Sequence, residues 1–178
     1  MRFIPLILVI LFAVAAGVFL ATTKDKPDAS PFSGERAYAH VASLVGLGPR
    51  YPGSKAIVDA REYMIGQLHQ AGWRTSLQAF EDDTPRGRME FVNIRARFPA
   101  ADKDEIDWRL GGGMLLLCSH YDTKLIDGIR FDGANDGGSS SGVLLELASV
   151  LRNTPDLAGQ VELVFFDGEE AFVDFTEV

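Results

Sequence analysis

Histidine and carboxylate side chains occur together in three short segments of this 178-residue chain. His120 and Asp122 follow one apolar run, Asp136 lies in a glycine-rich segment, and Glu169 and Glu170 follow a second apolar run. Nitrogen and oxygen ligands without thiolates suit a borderline divalent ion, and zinc is the ion expected in a hydrolase-like site. Adjacent glutamates leave an extended backbone on opposite sides, so one can bind metal while the other transfers protons.

The segments around these five residues predict two parallel strands joined by a helix. Residues 114–118 form a continuous apolar run, as in a strand that is buried on both faces, and residues 161–166 form a second strand-like run. Between them, residues 137–153 carry apolar side chains at helical spacing. A strand, helix, strand order is typical of a right-handed crossover, whose ligands bind at the carboxyl ends of the strands. We therefore expect the five residues at one rim of a sheet.

The N-terminal half of the chain predicts two helices followed by a β-hairpin. Apolar residues repeat at helical spacing over residues 36–47 and 54–71, and each stretch ends at glycine. Two β-type runs, 75–80 and 90–98, flank a turn-forming cluster at residues 82–87.

The first residues of the chain predict export. Residues 3–21 are apolar and uncharged, so residues 1–21 form either a signal peptide that is removed or a membrane anchor that stays. Residues 22–34 are rich in Pro, Asp, Ser and Lys and predict a linker, which leaves 35–178 as the folded domain. We expect a periplasmic or extracellular protein, in contact with the inner membrane if the segment is uncleaved.

Composition excludes several other classes of protein. Hydrophobic residues make up 47% of the chain and charged residues 24%, which is enough apolar material for a packed core. Cys118 is the single cysteine, so no disulfide framework can form within the chain. A net charge of -8 argues against nucleic-acid binding, which requires a basic surface.

The motifs resemble those of the zinc-dependent aminopeptidase clan and, within it, the glutaminyl-peptide cyclotransferases. The strings are Gly-Pro-Arg-Tyr-Pro-Gly-Ser at 48–54, Thr-Pro-Arg-Gly at 84–87, Phe-Val-Asn-Ile at 91–94, His-Tyr-Asp-Thr-Lys at 120–124 and Phe-Phe-Asp-Gly-Glu-Glu-Ala-Phe at 165–172. The last two, in this order around Gly-Ala-Asn-Asp, are specific, and the first two favour the cyclases. The resemblance implies an α/β fold with three α/β/α layers and a central, mostly parallel mixed sheet, of which this chain is the N-terminal portion.

The resemblance also implies a role for each residue of the rim. Asp136 and Glu170 would bind zinc, and Glu169 would be the general acid and base. His120 would bind a second zinc in a two-metal aminopeptidase but would line the pocket of a one-metal cyclase, and Asp122 would fix its imidazole through a hydrogen bond. The family also uses a downstream His and Asp, whereas no histidine follows His120 here and the sequence ends eight residues after Glu170. We therefore expect a longer enzyme.

Three functions follow from these expectations. A cyclotransferase with one zinc would convert the N-terminal glutamine of peptides to pyroglutamate and release ammonia. An aminopeptidase with two zinc ions would instead hydrolyse the N-terminal residue from a peptide or protein. A third alternative is an inactive, membrane-tethered binding module that keeps the fold for peptide contact.

Overall fold

The computed structural model describes residues 32–99, 106, 108 and 114–172. In chain order these residues form α1 (Gly34–Gly46), α2 (Lys55–Gln70), β1 (Arg74–Thr84), β2 (Gly87–Arg97), β3 (Leu115–His120), α3 (Gly138–Leu151), α4 (Pro155–Ala158) and β4 (Val161–Phe166). The predicted signal or anchor at 1–21, and the predicted linker up to residue 31, lie outside the described residues. None of the helices in the described ranges combines the length and hydrophobicity that crossing a bilayer requires.

Serine caps fix where the first two helices begin. The Ser33 hydroxyl accepts a hydrogen bond from the Arg36 amide at the start of α1. Ser54 does the same for the Ile57 amide at the start of α2. A hydroxyl at this position satisfies one of the amide groups that lack a partner in the first turn of a helix. The predicted helices are therefore present, with ends that differ by a few residues from the predicted ones.

The described sheet has the strand order β1-β2-β4-β3. β1 and β2 form the predicted antiparallel hairpin, and β3 pairs with β4 in parallel, which confirms the predicted crossover through α3. β2 pairs with β4 in the antiparallel sense, with Ile94 opposite Phe165. The α/β class and the mixed sheet are therefore confirmed. Two of the three described strand pairs are antiparallel, so the expected parallel majority does not hold for this part of the sheet.

One face of the sheet packs against α2 and α3, and α1 packs against α3. The shared core includes Leu68 of α2, Ile94 of β2, Leu145 of α3 and Leu163 of β4, all almost fully buried. Burying one such side chain contributes about 1.5–3 kcal/mol. Trp73 joins this core and donates its indole N–H to the Ala148 carbonyl oxygen at 3.0 Å.

The opposite face of the sheet is more polar. Glu162 is buried there and forms ion pairs with Arg95 and Arg97, while Leu116 and Phe166 are exposed. Among the described residues the helices thus form one layer on the sheet, and the second helical layer that the three-layer expectation requires is not seen in these ranges.

Two helical glycines should respond in opposite ways to the same substitution. A Cβ at Gly142 in α3 would lie 2.7 Å from the Ala37 carbonyl oxygen of α1, whereas a Cβ at Gly66 in α2 would meet nothing within 4 Å. Alanine is favoured over glycine in a helix by about 1 kcal/mol, but overpacking costs about 1–3 kcal/mol. We expect Gly66→Ala to raise and Gly142→Ala to lower the free energy of urea unfolding. Equal stability changes would contradict the close approach of α1 and α3.

Candidate metal centre

Three chain segments meet at one rim of the sheet. His120 ends β3 and lies opposite Phe166, the last residue of β4, so both strands finish at the same edge. The start of α3 lies beside them, because Gly137 packs against the imidazole. A Cβ at Gly137 would lie 2.9 Å from His120 Cε1, and the residue has φ +71°, so glycine is required on both counts. This geometry carries Asp136 to the imidazole.

The five residues predicted to form the site lie close together. His120 Nε2 is 3.1 Å from Asp136 Oδ1, and His120 Nδ1 is 3.3 Å from Asp122 Oδ1. Glu169 Oε2 is 3.8 Å from His120 Nδ1. One ligand atom from each of His120, Asp136 and Glu170 lies within 4.8 Å of the other two. The predicted proximity is therefore confirmed, and the roles of the five residues stay predictions.

Asp122 connects the two strand ends below this cluster. Its side chain is fully buried, with Oδ1 at the His120 imidazole and Oδ2 accepting the Glu170 amide N–H at 3.1 Å. One carboxylate thus orients both the histidine ring and the backbone that carries Glu170. Contacts of this kind hold the ligands of metal sites in place.

The electrostatics of the rim favour a cation. The hydrogen bond that the His120 imidazole donates to Asp122 raises the pKa of His120 to about 9, and the negative charges of Glu169 and Asp136 add to the effect. Burial is the largest cause of a raised pKa at Glu170, and the charges of Asp136 and Asp122 add to it. Negative charge from neighbouring carboxylates thus contributes to both shifts, and at Glu170 it adds to the larger effect of burial.

An unpaired oxygen indicates that these residues fit a metal ion. Glu170 Oε1 is buried and has no hydrogen-bond partner, although an unsatisfied buried carboxylate oxygen is costly. It belongs to the cluster with His120 and Asp136, whose donor atoms are nitrogen and oxygen. Zinc accepts such a donor set, so the residues fit the predicted ion.

Arg50 has a role at this site that sequence reasoning missed. The side chain is fully buried and donates to the carbonyl oxygens of Tyr121 at 2.9 Å, Asp132 at 2.9 Å, Gly133 at 3.1 Å and Leu44 at 3.2 Å. These carbonyl groups lie at the end of α1, after β3 and in the loop that leads to α3. A guanidinium with five N–H donors can hold all three segments together. Arg50 belongs to the Gly-Pro-Arg-Tyr-Pro-Gly-Ser string at 48–54, but nothing in the sequence indicates which three segments its side chain joins.

Asp167, directly after β4, should make stability depend on pH. Its side chain is 1% exposed, and burial raises its pKa from 3.8 to about 6. The folded state therefore holds this proton more tightly, and the stabilising contribution, complete below about pH 4, is lost as the pH rises through 6.

An asparagine at position 167 does not titrate, so its contribution to stability does not change with pH. Relative to the wild type, Asp167→Asn should gain about 2 kcal/mol of unfolding free energy between pH 4 and pH 7. Denaturant unfolding at both pH values with a chelator present measures this, and a constant difference would contradict it.

Comparison with known proteins relates this site to a family. The sequence model of Peptidase family M28 matches residues 103–174. The glutaminyl-peptide cyclotransferase of Dictyostelium discoideum is 34% identical over 129 residues, which are 66% of this chain and 36% of that protein. The enzyme of that name from Drosophila melanogaster is 34% identical over 135 residues, 72% of this chain and 35% of that protein. The chain thus spans about a third of the length of these curated relatives.

Solved structures show the same similarity. Porphyromonas gingivalis glutaminyl cyclase has a TM-score of 0.68 and 33% identity, over 80% of this chain and 48% of that one. A Zn-dependent exopeptidase from Parabacteroides distasonis has a TM-score of 0.68 and 27% identity, over 84% of this chain and 52% of that one. Residues 103–174 therefore resemble Peptidase family M28 in sequence, and the similarity to glutaminyl-peptide cyclotransferases that the motifs predict is confirmed.

Proposed function

We propose that the protein containing this chain is a zinc-dependent glutaminyl-peptide cyclotransferase, which converts an N-terminal glutamine to pyroglutamate and releases ammonia. The observation that carries the proposal is the rim cluster, in which His120, Asp136 and Glu170 converge beside Glu169. The names of the relatives support the choice of reaction.

Asp136 and Glu170 would hold the zinc ion, with one ion in the cyclase. Bound there, zinc would polarise the side-chain amide carbonyl of the glutamine substrate. Glu170 suits the ligand role because it is largely withdrawn from solvent and has an oxygen without a partner. Asp122 accepts a hydrogen bond from the Glu170 backbone amide, which fixes the position of the backbone that carries the Glu170 side chain.

Glu169 would move the proton. The α-amine nitrogen of the substrate attacks the amide carbon, a C–N bond forms to close the ring, and the bond to the amide nitrogen breaks. Glu169 takes a proton from the attacking amine and delivers it to the departing nitrogen, which leaves as ammonia. Its side chain is 59% exposed, so its carboxylate can reach a substrate that enters from solvent.

The second candidate function is a two-zinc aminopeptidase that hydrolyses N-terminal residues. His120 favours this candidate, because its Nε2 lies 3.1 Å from Asp136 Oδ1 and it can therefore join Asp136 as a ligand. In that reaction Glu169 would take a proton from the water that attacks the first peptide bond. The solved exopeptidase supports this reading of the same fold.

We also propose that the protein is exported to the periplasm or the cell exterior. Residues 1–21 have the charged start and apolar middle of a signal peptide, and an uncleaved segment would anchor the domain to the inner membrane. Alkaline phosphatase fused after residue 34 should be active if the segment directs export. An inactive fusion, produced at the same level, would contradict export.

One assay separates the two enzymatic functions and the binding module. The complete reading frame that contains this chain is expressed without residues 1–21, loaded with zinc and given a glutaminyl dipeptide derivative. Ammonia and a pyroglutamyl product would support the cyclotransferase, and a free N-terminal amino acid would support the aminopeptidase. Neither product from a folded, zinc-loaded protein would contradict both and favour the inactive module.

A further inference from the structure

Val92 of β2 is held by side chains that come from two other strand ends. Its amide N–H donates to Asp167 Oδ2 at 2.9 Å, and its carbonyl oxygen accepts from the Tyr121 hydroxyl at 2.7 Å. The backbone pairing of β2 with β4 stops at Ile94 and Phe165, so both bonds lie beyond the end of the ladder. Tyr121 follows β3, and Asp167 follows β4. Val92 is therefore a common anchor for the two strand ends that form the rim.

The chain is held on both sides of Asp167. The Asp167 amide donates to Asn93 Oδ1 at 3.0 Å, so this residue contacts two consecutive residues of β2. The next residue, Gly168, has φ +76°, and a Cβ there would lie 2.4 Å from the Phe91 ring. This path turns the chain out of the sheet directly before the two adjacent glutamates.

Arg61 of α2 joins the same contacts. Its Nε donates to the Tyr121 hydroxyl at 3.2 Å, and its Nη2 lies 3.9 Å from Asp167 Oδ2. Asp167 is buried, and its Oδ1 has no hydrogen-bond partner. The Tyr121 amide also donates to the Phe166 carbonyl oxygen at 3.0 Å. The two strand ends are thus joined directly and through the partly buried Arg61.

We propose that Asp167, Tyr121 and Arg61 form a positioning cluster that sets where the ends of β3 and β4 lie relative to each other. Tyr121 lies between His120 and Asp122 in the chain, and Asp167 lies two residues before Glu169. A shift of either strand end therefore moves the residues of the rim. Distances in a metal site are set to within a few tenths of an ångström, so such a shift weakens binding. This last step rests on the proposed zinc site.

Two measurements on the full chain test the cluster. The first is amide hydrogen exchange over residues 167–172, which includes the Glu170 amide that Asp122 holds. The second is zinc affinity, measured by competition with a chromophoric chelator. Asp167→Ala should raise the exchange rate of this segment by about tenfold and weaken zinc binding about 10- to 100-fold. Asp167→Asn keeps an oxygen acceptor for Val92 and should stay within about threefold of the wild type in both measurements.

Two further variants make the outcome decisive. Asp83→Ala removes a carboxylate that is 81% exposed on the hairpin and should change neither measurement. Tyr121→Phe removes one hydroxyl and keeps the ring, and should show the effects of Asp167→Ala at about a third of their size. This variant decides the matter if Asp167→Ala fails to fold, as judged by circular dichroism.

The proposal is overturned if folded Asp167→Ala or Tyr121→Phe matches the wild type in local exchange. It is also overturned if exchange rises equally throughout the chain, because that result indicates a general loss of stability. Absence of zinc binding in the wild type would contradict the proposed function instead. Local hydrogen exchange would still decide whether the cluster positions the rim.

Discussion

Glu169→Gln should lower the rate of ammonia release by about 10²- to 10⁴-fold in the protein expressed from the complete reading frame, with zinc affinity unchanged. Glutamine has nearly the same shape but cannot take a proton from the attacking amine. Glu169 Oε2 is 3.8 Å from His120 Nδ1, and the side chain is 59% exposed, so the loss of charge removes no buried ligand. Rate and zinc content are measured on the same preparation.

The matched control is Glu81→Gln on the hairpin. Glu81 pairs with Arg88, and both side chains are about 60% exposed, so the pair contributes little to stability. The control should keep the wild-type rate. A Glu169→Gln variant that loses its zinc together with its activity would assign this residue to the metal site and contradict its role as acid and base.

The two adjacent glutamates differ in burial and in hydrogen bonding. Glu170 is mostly buried, its amide is bound by Asp122, and its Oε1 has no partner. Glu169 is 59% exposed, and its Oε2 lies 3.8 Å from His120 Nδ1. Burial with a missing partner suits a metal ligand, whereas exposure suits a group that exchanges protons with substrate. These differences suit the roles that we propose for the two glutamates.

The rim could be predicted from sequence because parallel strands share their carboxyl edge. Once residues 114–118 and 161–166 were identified as a parallel pair, His120 and the two glutamates had to lie at the same edge. Helical spacing and the glycine-rich segment then brought Asp136 to the start of α3. Local patterns were sufficient, because each of these residues directly follows or precedes a regular element.

The remaining features depend on contacts between distant parts of the chain. Arg50 holds the Gly133 carbonyl 83 residues away, and Val92 binds Asp167 75 residues away. The spacing of apolar residues does not reveal such a pair. In the sequence, Arg50 before its turn also cannot be distinguished from an arginine on the protein surface. The antiparallel pairing of β2 with β4 is of the same kind, because it joins residues that lie 65 to 71 positions apart in the chain.

Asp136→Asn and Glu170→Gln should each weaken zinc binding by about 100-fold or more, the largest effect expected on the metal site itself. The carboxylate oxygens of Asp136 and Glu170 belong to the cluster whose ligand atoms lie within 4.8 Å of one another. The amide oxygen that replaces each of them carries no negative charge to balance that of the zinc ion. Binding to the folded state adds about 2.7 kcal/mol of stability at a hundredfold excess over Kd. The zinc-induced rise in Tm should therefore disappear in both variants. Asp156→Asn, exposed in α4 at the other end of β4, is the control.

His120→Asn then counts the metal ions. If the protein is a two-metal aminopeptidase, this variant should bind one zinc where the wild type binds two, because His120 would be the ligand of the second ion. If it is a one-metal cyclase, the variant should keep its single zinc and lose affinity modestly. The imidazole would then only line the pocket, 3.1 Å from Asp136 Oδ1. Zinc stoichiometry by elemental analysis separates these outcomes. Full retention of zinc in Asp136→Asn and Glu170→Gln would contradict a metal centre at this rim.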